Sequence, residues 1–220
     1  STAETVERAR RLSGAGVDGL LVVTPAYNRP TQEGLYRHFE AVAAASSVPV
    51  MLYNVPGRTA IDLMPATVAR LAKLPRIVAV KEALGQIARV VELCALLPAG
   101  FDVLSGDDAT AAEAMANGAR GVVSVTANVV PGPMAQLVAS ALRRDHAGAS
   151  HLDTLLRPLH EALFVEANPI PVKWAMAQLG LIEGGIRLPL TPLSEQYRPQ
   201  VRTALEAVLR ATQAPKAQSA

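Results

Sequence analysis

Ile77-Val78-Ala79-Val80-Lys81-Glu82 runs four apolar residues together, three of them β-branched, and then stops on a charged pair. Such a run reads as a short strand buried on both faces whose last residues emerge at the rim of a sheet. The same grammar recurs on either side. Gly19-Leu20-Leu21-Val22-Val23 runs into Thr24-Pro25, residues 48–53 into Asn54-Val55-Pro56-Gly57, and residues 101–104 into Ser105-Gly106-Asp107-Asp108. Residues 121–125 supply a fifth strand. Between these runs the apolar spacing is helical, over 2–12, 31–45 with Thr31 as N-cap, 65–73 with Pro65 in the first turn, 87–97, and 109–116 closing at Asn117-Gly118. Strands alternating with helices predict a parallel sheet covered by helices, either a closed barrel or an open doubly wound sheet. No Gly-x-Gly-x-x-Gly and no P-loop follows any strand, which counts against the nucleotide-binding open sheet. Beyond Pro131 only helical spacing remains, over 134–144, 149–164, 171–179 and 194–212, so an appended helical subdomain is expected, ending in a frayed tail at 214–220.

Composition narrows the function classes. Half of the 220 residues are hydrophobic, enough apolar surface to offset the entropy of ordering a core. The 21 Lys+Arg against 19 Asp+Glu leave a net charge of +2, and only 4% of residues are aromatic. That balance gives no electrostatic case for nucleic acid or an anionic membrane. Apolar runs of about five to seven residues fall far short of the roughly 20 needed to span a bilayer. A single cysteine, Cys94, excludes an internal disulfide and a Cys-cluster zinc site, and points to a reducing, cytoplasmic setting. Mid-helix, it reads as a small hydrophobe. His38, His146, His151 and His160 lie in helical segments without metal-ligand spacing. The chain opens on Ser1 with no initiator Met and no signal segment, which reads as a cut edge.

If the strands are parallel, their C-terminal ends share one rim, where barrel enzymes gather their chemistry. That rim would carry Thr24, Tyr27, Asn28, Arg29, Tyr53, Asn54, Arg58, Lys81, Glu82, Ser105, Gly106, Asp107, Asp108, Ser124, Thr126 and Asn128. Lys81 is the sharpest of them. An ammonium desolvated at the end of a buried strand loses proton affinity and becomes a nucleophile toward carbonyls. A strand-end lysine that snorkels to water or pairs with a carboxylate such as Asp107 is the commoner outcome on spacing alone. The two tyrosines suit proton relay, and equally suit capping a core with the hydroxyl in water. Arg58 suits a bidentate carboxylate clamp, against the more frequent solvated loop arginine. Asp107 and Asp108 open a helix, where capping is the first expectation.

Several stretches taken together resemble one known family. They are Val23-Thr24-Pro25-Ala26-Tyr27-Asn28-Arg29-Pro30, Leu52-Tyr53-Asn54-Val55-Pro56-Gly57-Arg58-Thr59, Val80-Lys81-Glu82-Ala83, Leu104-Ser105-Gly106-Asp107-Asp108, residues 121–128, and Asn168-Pro169-Ile170-Pro171-Val172-Lys173. In order and spacing, from Thr2 to about Leu209, they resemble the dihydrodipicolinate synthase family. The resemblance implies a TIM (β/α)8 barrel with a C-terminal helical subdomain. Residues 1–145 would be strands 4–8 of the barrel, the last five, and 146–220 the subdomain. It further implies a class I aldolase-type lyase condensing pyruvate with L-aspartate 4-semialdehyde, in lysine and diaminopimelate biosynthesis. Lys81 would form the Schiff base with pyruvate and Tyr53 would shuttle protons. Tyr27 would enter a neighbouring subunit's site, and Arg58 would bind the semialdehyde carboxylate. Gly106, Asp107 and Val123 would line the pocket. No metal or separate cofactor is implied, since the iminium is itself the electron sink. A homo-oligomer, a dimer of dimers, is implied for the complete protein.

Three departures qualify the resemblance. Ala26 stands where the family usually has a second aromatic beside a lysine effector site. Glu4 matches a carboxylate of that site, so lysine is an expected effector that Ala26 weakens. Leu84 stands where a small hydroxyl residue often follows Lys-Glu-Ala. The family's first three strands, with a Gly-Thr-Thr-Gly-Glu stretch that completes the tyrosine relay, are not in this sequence. Five strands do not close an eight-strand barrel, so weak turnover by this chain alone is expected. The competing readings are another pyruvate Schiff-base lyase, acting on N-acetylneuraminate or a keto-deoxy sugar acid, and a catalytically inactive relative. A carboxylate clamp at Arg58 favours the synthase over a lyase that must read sugar hydroxyls.

Overall fold

The computed structural model describes residues 1–213, and the tail expected at 214–220 lies outside the described residues. The chain divides into two compact units after Val123. The first is built on five parallel strands, β1 Leu20–Val23, β2 Val50–Asn54, β3 Ile77–Glu82, β4 Asp102–Ser105 and β5 Gly121–Val122, hydrogen-bonded in chain order. An open doubly wound sheet reverses its strand order at a switch point. The five described strands contain no such reversal.

Helix α1 Thr2–Ser13 precedes the sheet, and α2 Gln32–Ala45 links β1 to β2 with the Thr31 side chain accepting from Gly34 N–H as expected. The short α3 Pro56–Thr59 and α4 Pro65–Leu71 link β2 to β3, each with proline in its first turn, where its missing N–H costs nothing. Helices α5 Ile87–Leu96 and α6 Ala111–Ala116 complete the crossovers. The core of this unit lies between one sheet face and the helices: Val50, Leu52, Ile77 and Val80 meet Leu35, Phe39, Val68, Leu71 and Leu93, all nearly or wholly buried.

Burial corrects one expectation. The strands are not buried on both faces: Leu21 and Val23 of β1 are 49% and 44% exposed, while Leu20 is buried. The face opposite the helices is half-open, and it is the face that carries Tyr53 and Lys81. A second correction concerns strand phase. Val50 pairs with Ile77 but Met51 pairs with Ala79, so Val78 has no partner on β2. This one-residue bulge shifts every later residue of β3 to the other side. Ile77, Val80 and Glu82 therefore face the helices with Val50, Leu52 and Asn54, while Ala79 and Lys81 share the open face with Met51 and Tyr53.

The fifth strand is shorter than its apolar run to Val125 suggested. Val123 N–H makes the last ladder-like bond, to Ser105 O at 2.8 Å. Ser124 Oγ then accepts Ala127 N–H at 2.9 Å and winds residues Thr126–Asn128 into a 3-10 turn. Asp107 and Asp108 also stand one turn ahead of where capping would need them. Helix α6 has Thr110 at its N-cap, and Asp107 Oδ1 accepts Ala109 N–H at 3.1 Å in the preceding loop.

The second unit, from Ser124, is helical among its described residues: α7 Pro131–Leu142, α8 His146–Ala162, α9 Ile170–Gln178 and α10 Arg198–Gln213. Its core joins Leu156, Leu159 and Leu163 to Ala175, Val201, Leu205 and Val208. His160 Nδ1 lies 2.7 Å from Thr126 Oγ1, tying α8 to the 3-10 turn. His38 is likewise buried, and among the described residues no group of three or more His, Cys, Asp or Glu is placed to hold a metal ion. Among the described residues no helix is long and apolar enough to cross a membrane.

Candidate active site

The C-terminal ends of β2, β3 and β4 lie side by side, and backbone bonds continue past the strand ends to hold them there. Thr24 N–H donates to Tyr53 O at 3.0 Å, Ala83 N–H to Asn54 O at 2.9 Å and Gly106 N–H to Glu82 O at 2.7 Å. Register then places Tyr53 beside Lys81, and the Lys81 Nζ stands over the tyrosine ring, 4.1 Å from its centroid. An ammonium at that distance is attracted by the ring face.

Gly106 makes room for the lysine. A Cβ at this position would meet the Ala83 Cβ at 2.7 Å and the Lys81 Cε and Cγ at 2.9 and 3.2 Å. The lysine stem thus runs across the Gly106 backbone, which only a residue without a side chain permits. The open face leaves Lys81 half-buried, and burial pushes its ammonium below the usual lysine range. The Asp108 carboxylate opposes that fall, and the Arg58 guanidinium adds to it. Burial raises the Tyr53 phenol, and Arg58 pulls it part of the way back.

Arg58 is exposed in α3, a single helical turn at the Pro-Gly-Arg-Thr sequence where a turn was expected. That turn is anchored from beneath. Thr59 Oγ1 bonds Val55 O and Ile61 O, and the buried Thr24 hydroxyl donates to Thr59 Oγ1 at 3.2 Å. Ser105 Oγ donates to Asp107 O at 2.8 Å and accepts Asp107 N–H, folding the β4 end into a tight turn.

Of the residues singled out from sequence, Lys81, Tyr53, Gly106 and Arg58 come together, with Asp107 and Val123 in the adjoining strand ends. Two stand apart. The Tyr27 side chain is 95% exposed, on a backbone with φ of 76°. Glu4 is exposed in α1, where it forms a capping box with Ser1. Cys94 is half-buried with its thiol pushed up by burial, as suits a small apolar residue.

Behind the site, on the helix side of the sheet, lies a polar cluster that sequence reading did not assemble. Asn54 Nδ2 donates to Asp62 Oδ1 at 2.8 Å and to both Glu82 oxygens at 3.0 and 3.1 Å. Arg89 of α5 grips Asp62 through two bonds of 2.9 and 2.7 Å and stands 3.7 Å from Glu82. Burial raises the Glu82 carboxyl, while Arg89 holds that of Asp62 below the usual range. The only local signal was a charged residue, Arg89, on a helix that also buries Val90 and Leu93.

Comparison with known proteins agrees with this geometry. The family model described as "Dihydrodipicolinate synthetase family" matches residues 1–208. Among curated relatives, the 4-hydroxy-tetrahydrodipicolinate synthase of Methylococcus capsulatus is 52% identical over 205 residues, 93% of this chain and 70% of the relative. That of Cellvibrio japonicus is 52% identical over 206 residues, 94% of this chain and 71% of the relative. Among solved structures, the chloride-inhibited dihydrodipicolinate synthase of Acinetobacter baumannii, complexed with pyruvate, is similar with a TM-score of 0.92 and 50% identity. The alignment covers 94% of this chain and 72% of that one. A lysine on a half-buried sheet face, an adjoining phenol and a sequence match over nearly the whole chain lead to one conclusion: the chain belongs to the dihydrodipicolinate synthetase family.

Proposed function

We propose that the protein is a pyruvate-dependent class I aldolase-type lyase that condenses pyruvate with L-aspartate 4-semialdehyde, yielding 4-hydroxy-tetrahydrodipicolinate in lysine biosynthesis. The observation that carries this reading is Lys81, held across Gly106 with its ammonium over the Tyr53 ring and its proton affinity lowered by burial. Its names among curated relatives support it. The free amine attacks the pyruvate C2 carbonyl to give a carbinolamine. Tyr53 delivers a proton to the departing hydroxyl, and loss of water leaves the imine. The Tyr53 phenolate takes a methyl proton to give the enamine, whose carbon attacks the aldehyde, and the phenol returns that proton to the new alkoxide. The semialdehyde's own amino group then attacks the imine carbon and displaces Lys81, closing the ring and freeing the amine. Arg58 takes the semialdehyde carboxylate through its bidentate fork. Gly106, Asp107 and Val123 line the pocket, Val123 through its backbone carbonyl. No cofactor beyond the Lys81 imine is called for.

Residues 1–145 are proposed as strands 4–8 of a (β/α)8 barrel with their helices, and 146–220 as its helical subdomain. The unreversed strand order supports this. Tyr27, held outward on a left-handed backbone, is proposed to reach the site of a neighbouring subunit in a homo-oligomer. Glu4 is proposed to face a lysine effector. A lone half-buried cysteine suits a cytoplasmic setting.

The test is borohydride reduction with pyruvate. A mass increment on the Lys81 peptide is expected, and its absence refutes the Schiff-base reading. Turnover of sugar acids, with none of pyruvate plus semialdehyde, would transfer the protein to the sugar-acid lyases.

A further inference from the structure

We infer that Asn54, Glu82, Asp62 and Arg89 are positioning residues for the site, a buried brace that sets Lys81, Tyr53 and the Arg58 turn in one geometry. The inference rests on the function proposed above. Its foundation is adjacency. Asn54 follows Tyr53 on β2, and Glu82 follows Lys81 on β3, so each site residue has its chain neighbour in the brace. Successive strand residues point to opposite faces, which puts the chemistry on the open face and the brace on the helix side.

One amide joins three segments. The Asn54 side chain donates across to Glu82 of β3 and to Asp62 of the segment after α3. Its Oδ1 accepts Leu63 N–H from the same segment at 3.0 Å. Glu82 in turn receives Leu84 N–H at 2.8 Å, fixing the turn that leaves Lys81. Both the amide nitrogen and the amide oxygen of Asn54 are thereby engaged, which resists sliding of β2 against β3 and of the Arg58-bearing segment against either. Arg89 closes the assembly with a bidentate grip on Asp62 from a side chain only 10% exposed. Two carboxylates share this pocket, and Arg89 is the cation that allows them to do so. Without it, Asp62 and Glu82 repel, and the first segment free to yield is the one carrying Arg58.

A positioning defect has a different signature from loss of the nucleophile. Misplacing reacting groups by about an ångström costs on the order of 10²-fold in rate while leaving the chemistry intact. The variants are Arg89→Leu, Arg89→Lys and Asp62→Asn, the last at a side chain 31% exposed and nearly isosteric. In the intact protein, the rate of pyruvate trapping by borohydride on Lys81 is read beside kcat and the KM for the semialdehyde, with circular dichroism and thermal melts as the measure of fold.

Arg89→Leu is expected to slow trapping about 10–100-fold and to raise the KM for the semialdehyde while the fold persists. Arg89→Lys, keeping the charge without the fork, is expected to recover part of both. Asp62→Asn is expected to raise that KM more than it slows trapping, because it loosens the Arg58 segment first. It reads out the inference even where Arg89→Leu does not fold. A labelled wild type with folded variants that trap and bind as it does would overturn the brace alone. A wild type that takes no label overturns the proposed function, and this inference with it.

Discussion

Replacing Gly106 with alanine tests the site at its tightest point. The added Cβ would stand 2.7 Å from the Ala83 Cβ and 2.9 Å from the Lys81 Cε, where carbon atoms prefer about 3.5–4.0 Å. The overlap is thus close to an ångström on two sides. Ala83 cannot move aside, since its N–H is bonded to Asn54 O, and Gly106 cannot retreat, since its N–H is bonded to Glu82 O. The lysine stem is the flexible party, so the displacement falls on the nucleophile. Overpacking of this kind costs about 1–3 kcal/mol of stability. A shift of about 1 Å in the reacting amine costs on the order of 10²-fold in rate. Urea unfolding gives the first quantity, and the rate of pyruvate-dependent borohydride labelling at saturating pyruvate gives the second. A Gly106→Ala protein that unfolds at the wild-type urea midpoint and labels at the wild-type rate would refute the claim that Lys81 is threaded over this glycine.

Lys81→Met is expected to abolish the pyruvate-dependent mass increment while preserving the fold; an increment that persists would place the imine elsewhere. The rate of labelling should climb with pH to a midpoint below that of an ordinary lysine. Asp108→Asn should lower that midpoint further and Arg58→Leu should raise it, since the carboxylate favours the ammonium and the guanidinium opposes it; shifts in the opposite directions would reject this account. The same depression affects stability: between the folded and the higher unfolded pKa of Lys81, the unfolded chain holds the extra proton, so this residue's contribution rises with pH across that window. A Lys81→Met protein should lose that dependence, and denaturation curves at stepped alkaline pH would reveal it. Thr59→Val leaves the buried Thr24 hydroxyl without its acceptor and should cost about 1–3 kcal/mol in urea unfolding; an unchanged midpoint would show the bond to be idle.

Apolar runs made all five strands visible in the sequence, because a strand whose one face packs on helices needs Val50, Leu52 or Val80 wherever the helices touch. The opposite face was misjudged for the same reason: Leu21 and Val23 are as apolar as their buried neighbours, and composition alone does not say what covers them. Lys81 stood out by chemistry, yet its spacing favoured a solvent-facing side chain. What half-buries it is the Gly106 backbone, 25 residues away in sequence and adjacent only across β3 and β4. Asp62 and Arg89 were invisible as a pair, because a loop carboxylate and a helix guanidinium look solvated until the fold closes Asn54 and Glu82 around them. Ser124 and Val125 read as strand on propensity, and a single local bond, Ala127 N–H to Ser124 Oγ, turns the chain away after the last ladder bond at Val123.

The unpaired Val78 has a consequence for counting. From Ala79 onward β3 is one residue out of step with its own beginning, and the two residues that end it are opposite in chemistry: an amine for the open face and a carboxylate for the brace. The extra residue is a reserve of length. Removing Val78 would leave Ile77 opposite Val50, Ala79 opposite Met51 and Lys81 opposite Tyr53, a regular ladder with both addresses kept. A variant or relative one residue shorter at the bulge would therefore still present an amine at the site, whereas the unbulged stretch from Ala79 to Glu82 has no such slack.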